Sequence, residues 1–287
     1  MTRAAGAAAV AALLALAVLA GPAAAQDEAR RIVSLGGSVT EIVVALGAAD
    51  RLVARDSTST HPDSVTALPD VGYLRALSPE GVLSLDPDLI VAEADAGPVE
   101  AVEVLRAAGV RFVLMPDEPT PEGVAAKIAA VAGAIGRPAE GAALAARVTA
   151  GLAEAEARAA AVRSPRRVLF VLSAQGGRIM AGGEGTSADG IIRLAGARNA
   201  ATGFDGYKPM TDEAVLAADP DVILMMDRDG DHAVQDADLL ALPALAASPA
   251  ARTGAIVRVD GLLLLGFGPR TPEAARALHA AIYPAGD

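Results

Sequence analysis

Several residue types that carry chemistry in other proteins are absent or scarce in this chain. Its 287 residues include no cysteine, no tryptophan, three histidines and three tyrosines. The lack of cysteine excludes disulfide frameworks, cysteine-bound zinc, iron–sulfur clusters and thiol catalysis. So few histidines also argue against an all-histidine metal site.

Positive charge and nucleotide-binding motifs are scarce as well. The chain carries 24 Lys and Arg against 35 Asp and Glu, a formal net charge of −11, which argues against nucleic acid as a partner. Gly36-Gly37-Ser38 and the glycine-rich stretch 182–185 lack both the Lys-Ser/Thr of a P-loop and the G-x-G-x-x-G order. The G-x-S-x-G of serine hydrolases is missing too. We therefore expect a protein that is not an enzyme.

The first 25 residues are typical of a secretory signal peptide. Arg3 supplies positive charge, residues 7–20 are continuously apolar, and Ala23-Ala24-Ala25 has the small-residue pattern that signal peptidase cleaves. The alternative, a membrane anchor, needs an apolar run of about 20 residues. Since no cysteine follows the cleavage site, a lipid anchor is not expected either. The mature chain should be a monomer in the periplasm and should not be anchored to the membrane.

The mature sequence alternates short apolar strands with helices, which predicts an α/β fold with parallel sheets. We expect an N-terminal α/β lobe over 26–137, a connecting helix within 138–164 and a C-terminal α/β lobe over 165–287. Each lobe should be Rossmann-like, and a ligand cleft should lie between the two.

Near the start of the mature chain, Ser38 and Glu41 have the spacing of a helix capping box.

The two predicted lobes share a repeated pattern. Gly72-Tyr73 precedes Glu80 and Asp86-Pro87-Asp88, and the second half has the same order. The matching residues there are Gly206-Tyr207, Glu213 and Asp219-Pro220-Asp221. They follow their counterparts by 133 residues at the acidic positions and by 134 at the tyrosine. A bilobed protein of this kind usually binds its ligand between the lobes.

Two of the three tyrosines occupy the matched positions, each expected on a loop just before a helix, which makes Tyr73 and Tyr207 candidate ligand-binding residues. The alternative is that both only pack within the lobes. Tyr73 stands out because Arg75 follows it, and a guanidinium near a phenolic oxygen favours its ionised form. Tyrosinate is a known axial ligand of haem iron.

At these residues the sequence resembles the periplasmic haem-binding proteins of bacterial haem ABC importers. These belong to a wider group of iron-siderophore and corrinoid binding proteins. The resemblance covers essentially the whole mature chain. It is carried by 31–41, by 68–88 with the more specific stretch Pro69-Asp-Val-Gly-Tyr-Leu-Arg-Ala-Leu-Ser78, by 181–189 and by 206–209.

The resemblance implies a transported haem, bound through Tyr73 as iron ligand with Arg75 as its hydrogen-bond partner. By position, Arg228 would hold a propionate, although a surface arginine is the alternative. Glu80 and Glu213 would dock on a dimeric membrane permease that works with an ATPase. Some relatives bind a second haem through a histidine in the turn at 172–177, where this chain has none.

Two other functions stay open. A ferric siderophore or a corrinoid is the alternative ligand on the same fold, although few aromatic residues are available to contact it. An α/β enzyme is the alternative of a different class, because fold does not fix function.

Overall fold

Two β-sheets, one in each half of the sequence, organise the chain. A computed structural model describes residues 28–227 and 234–284. The predicted signal peptide and Arg228 therefore lie outside the described residues. The first sheet is entirely parallel, as predicted, with the strand order β2-β1-β3-β4. Its strands are β1 (Ile32–Leu35), β2 (Leu52–Arg55), β3 (Leu89–Glu93) and β4 (Arg111–Met115).

The helices of the first half follow its strands in alternation, which is the pattern of a doubly wound sheet. Their N-terminal signals are visible in the sequence: the side chains of Ser78 and Thr120 each accept a hydrogen bond from a first-turn N–H, and a proline follows each of them. The helices are α1 (Gly37–Ala45), α2 (Pro79–Leu83), α3 (Val99–Ala107) and α4 (Pro121–Ala134).

A single long helix, α5 (Pro138–Ala161), stands between the two sheets in the sequence. Its 24 residues correspond to about 36 Å at 1.5 Å per residue. One face of the helix is buried, at the helical spacing that the alanine-rich sequence predicts: Gly141, Leu144, Val148, Leu152 and Ala155. The division at 137 and 164 stays a prediction.

The second sheet is mixed rather than purely parallel, which corrects the expectation of two parallel sheets. Its order is β10-β9-β5-β6-β8, with β7 paired to β5. The strands β5, β9 and β10 are parallel, whereas β6 is antiparallel to both β5 and β8. The second-half strands are β5 (Arg167–Ser173), β6 (Met180–Gly182), β7 (Arg198–Asn199), β8 (Tyr207–Pro209), β9 (Val222–Asp227) and β10 (Ile256–Asp260).

The helices of the second half have at most eight residues, except for the last, which has 12. It packs against α5, where a Cβ on Gly151 would lie 2.9 Å from Pro272. The second-half helices are α6 (Ser187–Leu194), α7 (Asp212–Ala218), α8 (Asp236–Leu240), α9 (Pro243–Ala246), α10 (Pro249–Thr253), α11 (Gly261–Leu265) and α12 (Thr271–Ile282).

The sequence repeat is also a structural repeat. Asp86 and Asp219 both adopt a left-handed backbone, with φ of 48° and 41°. Two residues later, the carboxylates of Asp88 and Asp221 accept hydrogen bonds from the backbone where β1 and β5 begin: from Arg31 at 3.0 Å and from Arg167 at 2.7 Å. Asp-Pro-Asp therefore fixes the start of the neighbouring strand in both halves, and in the second half its first residue, Asp219, is also the C-cap of α7.

The predicted capping box at Ser38 and Glu41 is wrong. α1 begins after Gly36, and no side chain caps it. The Ser38 hydroxyl instead donates to Glu93 at 2.6 Å, while Glu41 accepts hydrogen bonds from Arg270 near the other end of the chain. Both polar groups are therefore used in long-range contacts.

One apolar core connects both sheets through α5. It includes Ile32 and Leu89 from the first sheet, Leu152 from α5 and Phe170 from β5. Two smaller clusters cover the outer faces of the sheets, one around Ile90 and one around Ile223. Within residues 28–227 and 234–284, no helix is long and apolar enough to cross a bilayer.

Candidate functional site

A cleft of about 1080 Å³ lies where strands of both sheets end. In open α/β sheets, ligands bind outside the carboxyl ends of the parallel strands, and both sheets present those ends here. Lining residues at or just beyond the carboxyl ends of parallel strands include Gly37, Thr58, Glu93 and Asp117 from the first sheet, and Ser173, Met226 and Asp260 from the second. Residues from both halves of the chain therefore form one site.

The loop that carries Tyr73 is fixed to the end of β2. The Asp70 carboxylate accepts from Gly72 N–H at 2.8 Å and from the Arg55 guanidinium at 3.0 Å. Gly72 has a φ of 90°, a conformation that favours glycine, and its carbonyl accepts from Ser57 N–H at 2.9 Å. The completely buried Leu74 anchors the loop on the other side. This accounts for the Pro-Asp-Val-Gly-Tyr-Leu pattern and leaves Tyr73 41% exposed at the cleft.

Arg75 connects Tyr73 to a carboxylate on a second loop. One amino group of its guanidinium donates to the phenolic oxygen of Tyr73, and the other donates to Asp95. Partial burial by itself lowers the pKa of Arg75, but the Tyr73 hydrogen bond and the Asp95 charge outweigh it and raise the pKa above its ordinary value. The structure therefore brings Tyr73 and Arg75 together, and all three residues line the cleft.

Tyr207 lies on the other wall of the same cleft. It begins the edge strand β8 rather than occupying a loop, which corrects the sequence expectation. Its ring packs edge-on against Phe170, with 6.2 Å between centroids. Burial raises the pKa of Tyr207, although hydrogen bonds with the Ala188 N–H and the Thr186 hydroxyl oppose this shift. Tyr207 is therefore a neutral phenol over a wider pH range than a free tyrosine.

A buried polar cluster forms the first-sheet floor of the cleft. The Lys127 side chain is fully buried, and its Nζ donates to Asp117 at 2.7 Å, to Ser38 Oγ at 3.1 Å and to the Gly266 carbonyl at 3.2 Å. Burial raises the pKa of Glu93 to about 7, although the Lys127 charge and the Ser38 hydrogen bond oppose that shift. The cluster therefore contains a carboxyl group that changes charge near neutral pH.

The other predicted site residues lie away from the cleft or outside the described part. Glu80 and Glu213 are exposed in the first turns of α2 and α7. The pKa of Glu213 is lowered by a hydrogen bond to its own backbone N–H and by one to Thr211. Arg228 falls in the undescribed stretch 228–233. No group of three or more His, Asp or Glu residues in the described part could hold a metal ion.

Sequence reasoning missed Asp95, Glu93 and Lys127. Two signals could have found them. Glu93 directly follows the apolar run Leu89 to Ala92, so it stands at the carboxyl end of a buried strand, where site residues collect. Lys127 is one of only two lysines in the chain and lies within an apolar helical stretch.

Comparisons with known proteins agree with this architecture. A family model described as periplasmic binding protein matches residues 32–261. The chain is 45% identical to the periplasmic heme-binding protein BhuT, solved in complex with two hemes, with a TM-score of 0.83 over 88% of this chain and 97% of that one. It is 41% identical to the periplasmic heme-binding protein RhuT from Roseiflexus sp. RS-1, with a TM-score of 0.85 over 90% and 99%.

Curated relatives are more distant. An uncharacterized ABC transporter substrate-binding lipoprotein, YvrC of Bacillus subtilis, is 28% identical over 90% of this chain and 82% of its own length. A vitamin B12-binding protein of Yersinia pestis is 37% identical, but over only 35% of each chain. All four are binding proteins by name.

Proposed function

The chain belongs to the periplasmic binding protein family, and from that premise we propose that it captures haem in the cleft and delivers it to an ABC importer. The observation that supports haem most directly is the placement of Tyr73. Its phenol is exposed at the cleft, and Arg75 donates a hydrogen bond to the phenolic oxygen. In the proposed complex that oxygen, as phenolate, binds the ferric iron, and haem is a transported ligand rather than a catalytic cofactor.

The two walls of the cleft have different roles in this proposal. Tyr73 provides the iron ligand, since a guanidinium stabilises negative charge on a phenolic oxygen. Tyr207, whose raised pKa keeps it neutral, contacts the porphyrin face or edge instead. Among the described residues that line the cleft, Arg75 is the only cation, and it already binds Tyr73 and Asp95. We therefore propose Arg228, from its position in the sequence, as the partner of a propionate group.

A haemin titration followed by absorption tests the proposal. The wild-type protein should give a ferric tyrosinate spectrum, and Tyr73→Phe should lose it and weaken binding by at least about tenfold, the smallest loss usual when a supporting residue of a metal site is removed. Tyr207→Phe is the matched control and should keep the spectrum. An unchanged spectrum in Tyr73→Phe would overturn the tyrosinate assignment.

The same titration measures stoichiometry. The turn 172–177 has no histidine, so we expect one haem to be bound through its iron. BhuT is named as a complex with two hemes, and the cleft, at about 1080 Å³, lies slightly above the roughly 300–1,000 Å³ usual for ligand pockets. A break at one equivalent would support the single-haem expectation, and a break at two would overturn it.

A corrinoid is the second candidate ligand, because the chain shares a stretch with a vitamin B12-binding protein. Adding cobalamin or a ferric siderophore to separate samples distinguishes these candidates. We expect haemin alone to protect the protein against thermal unfolding.

The proposed partner is a dimeric permease with its ATPase. Glu80 and Glu213 occupy matched, exposed positions in the two halves, so they suit a partner with two-fold symmetry. We propose that the protein acts as a periplasmic monomer, with lobes over 26–137 and 165–287 joined by the helix within 138–164.

A further inference from the structure

We infer that Asp95 is a positioning residue for the iron ligand: its carboxylate holds Arg75 so that the guanidinium faces the Tyr73 oxygen. The inference deepens the proposed function and rests on it. Asp95 is two residues beyond the end of β3 and 20 residues from Arg75, so the pair is a contact between two separate loops.

The shape of the guanidinium makes this contact effective. Arg75 uses one amino group on Tyr73 and the other on Asp95. Because a guanidinium is planar and its donors form a rigid fork, fixing one amino group also fixes the direction of the other. Its carbon lies 5.5 Å from the centre of the Tyr73 ring, so the group is close to the ring as well as to its oxygen.

The backbone holds the two loops at a constant separation. Gly97 N–H donates to the Leu74 carbonyl at 2.8 Å, and Leu77 N–H donates to the Gly97 carbonyl at 2.9 Å. Leu74 and Leu77 are both buried in the apolar cluster around Ile90. Asp95 is therefore a fixed point from which Arg75 can be oriented.

Arg75 needs such a point because half of its side chain is exposed, at 51%. A long side chain in solvent samples many rotamers, and holding it in one of them has an entropic cost. An exposed ion pair adds little to the stability of a fold, so the contact with Asp95 is better explained by orientation than by stability.

Orientation and simple charge predict opposite results when Asp95 is neutralised. If only charge mattered, removing a negative group beside Arg75 would leave the guanidinium more effective at stabilising the phenolate. If orientation matters, Asp95→Asn should weaken the tyrosinate–iron bond. The other titratable groups among the described residues that line the cleft are Glu93, Asp117, Tyr207 and Asp260, and all four stay unchanged in the variant.

The experiment is an acid titration of the haem complex, followed by the tyrosinate absorption. In Asp95→Asn the bond should be lost at a higher pH than in the wild type, with haemin bound roughly three- to tenfold more weakly, as expected for a weakened hydrogen bond to a charged group. Asp95→Glu should recover part of the loss. Asp63→Asn makes the same change at an exposed site outside the cleft and should match the wild type.

The outcomes separate the two hypotheses. A wild-type spectrum without tyrosinate bands would overturn the proposed function, and the positioning role with it. Tyrosinate bands that Tyr73→Phe removes, combined with wild-type or tighter binding in Asp95→Asn, would overturn the positioning role alone. Melting temperatures of all variants show whether any loss comes from unfolding instead.

Discussion

Arg270 donates hydrogen bonds to the carboxylate of Glu41 across 229 residues of sequence. Glu41 is 6% exposed and lies on α1, whereas Arg270 directly precedes α12. Partial burial opposes the charge of Arg270, but the bond to Glu41 prevails and its pKa is raised. Together with the bond from Lys127 to the Gly266 carbonyl, this pair connects helices α1 and α4 of the first half to the C-terminal segment.

Breaking the Glu41–Arg270 pair from one side should destabilise the protein. We expect Arg270→Met to reduce the free energy of unfolding by about 3–5 kcal/mol, because it leaves a buried carboxylate without its partner. The double variant Glu41→Gln with Arg270→Met should recover much of that loss, since no buried charge remains. Urea unfolding measures both effects.

Glu140→Gln is the control for that experiment. Glu140 forms a more exposed ion pair, at 3.5 Å from Arg137, which should contribute less than about 1 kcal/mol. A loss of similar size in Arg270→Met and Glu140→Gln would show that burial does not strengthen the Glu41 pair.

The two halves should move little when haem binds. One apolar core runs through both sheets and α5, and the contacts of Glu41 and Lys127 cross between the halves. A hinge needs a few residues that absorb large backbone changes, and a continuous 24-residue helix has no such point. Small-angle scattering profiles with and without haemin should therefore superimpose. A contraction of several ångströms in the radius of gyration would contradict this expectation.

Stability should fall as pH rises from about 4.5 to about 7 because of Glu93. Burial raises its pKa from the ordinary 4.5 to about 7, so between these values the folded protein keeps a proton that the unfolded chain has released. In that window the free energy of unfolding decreases by about 1.4 kcal/mol per pH unit. Below the window both states are protonated, and above it both are ionised, so the effect is constant outside it.

Glu93→Gln should remove this pH dependence. The amide oxygen can still accept from Ser38, and Lys127 keeps its 2.7 Å contact with Asp117. The gain in stability over the wild type should therefore grow from pH 4.5 to pH 7 and then level off. Glu100→Gln, on the exposed first turn of α3, is the control and should show no such trend. A gain that stays constant with pH would show that Glu93 does not titrate in this range.

Local patterns in the sequence predicted most of the fold. Strand and helix periodicity gave the first sheet and the long helix, because each of those signals lies within a short stretch. The repeat of Asp-Pro-Asp was informative because the carboxylates of Asp88 and Asp221 accept equivalent backbone hydrogen bonds at the starts of β1 and β5. The short strands β6 and β8 were missed because a segment of three residues is too short to show an alternating pattern.

The site was predicted only where its contacts are local. Tyr73 and Arg75 are two residues apart on one turn, so their hydrogen bond could be expected from spacing. Asp95 and Lys127 reach their partners across 20 and 89 residues, and such pairings depend on how the strands are ordered in the sheet. Ser38 and Glu41 show the reverse error, since a plausible local cap was displaced by stronger contacts between distant segments.

The last prediction concerns the permease. Each of Glu80 and Glu213 follows the first residue of its helix, and the N-cap residues Ser78 and Thr211 already accept hydrogen bonds from first-turn N–H groups. A favourable helix dipole explains one glutamate at each site, and both glutamates are also exposed at matched positions of the two halves, where a two-fold partner could contact them. We expect Glu80→Arg combined with Glu213→Arg to abolish haem transport in a reconstituted importer while haemin binding stays normal.

The control must change the same charge at the same kind of position. Glu100 and Glu122 are exposed first-turn glutamates of α3 and α4, so their double reversal alters net charge equally without touching the repeat. Exposed charge pairs act mainly on encounter and register, so the transport rate of the wild type should also fall as salt is added. If Glu80 and Glu213 dock on the permease, reversing them must slow transport more than reversing the same charges elsewhere. Equal transport rates in the two double variants would therefore contradict the docking role and leave only the stabilisation of their own helices.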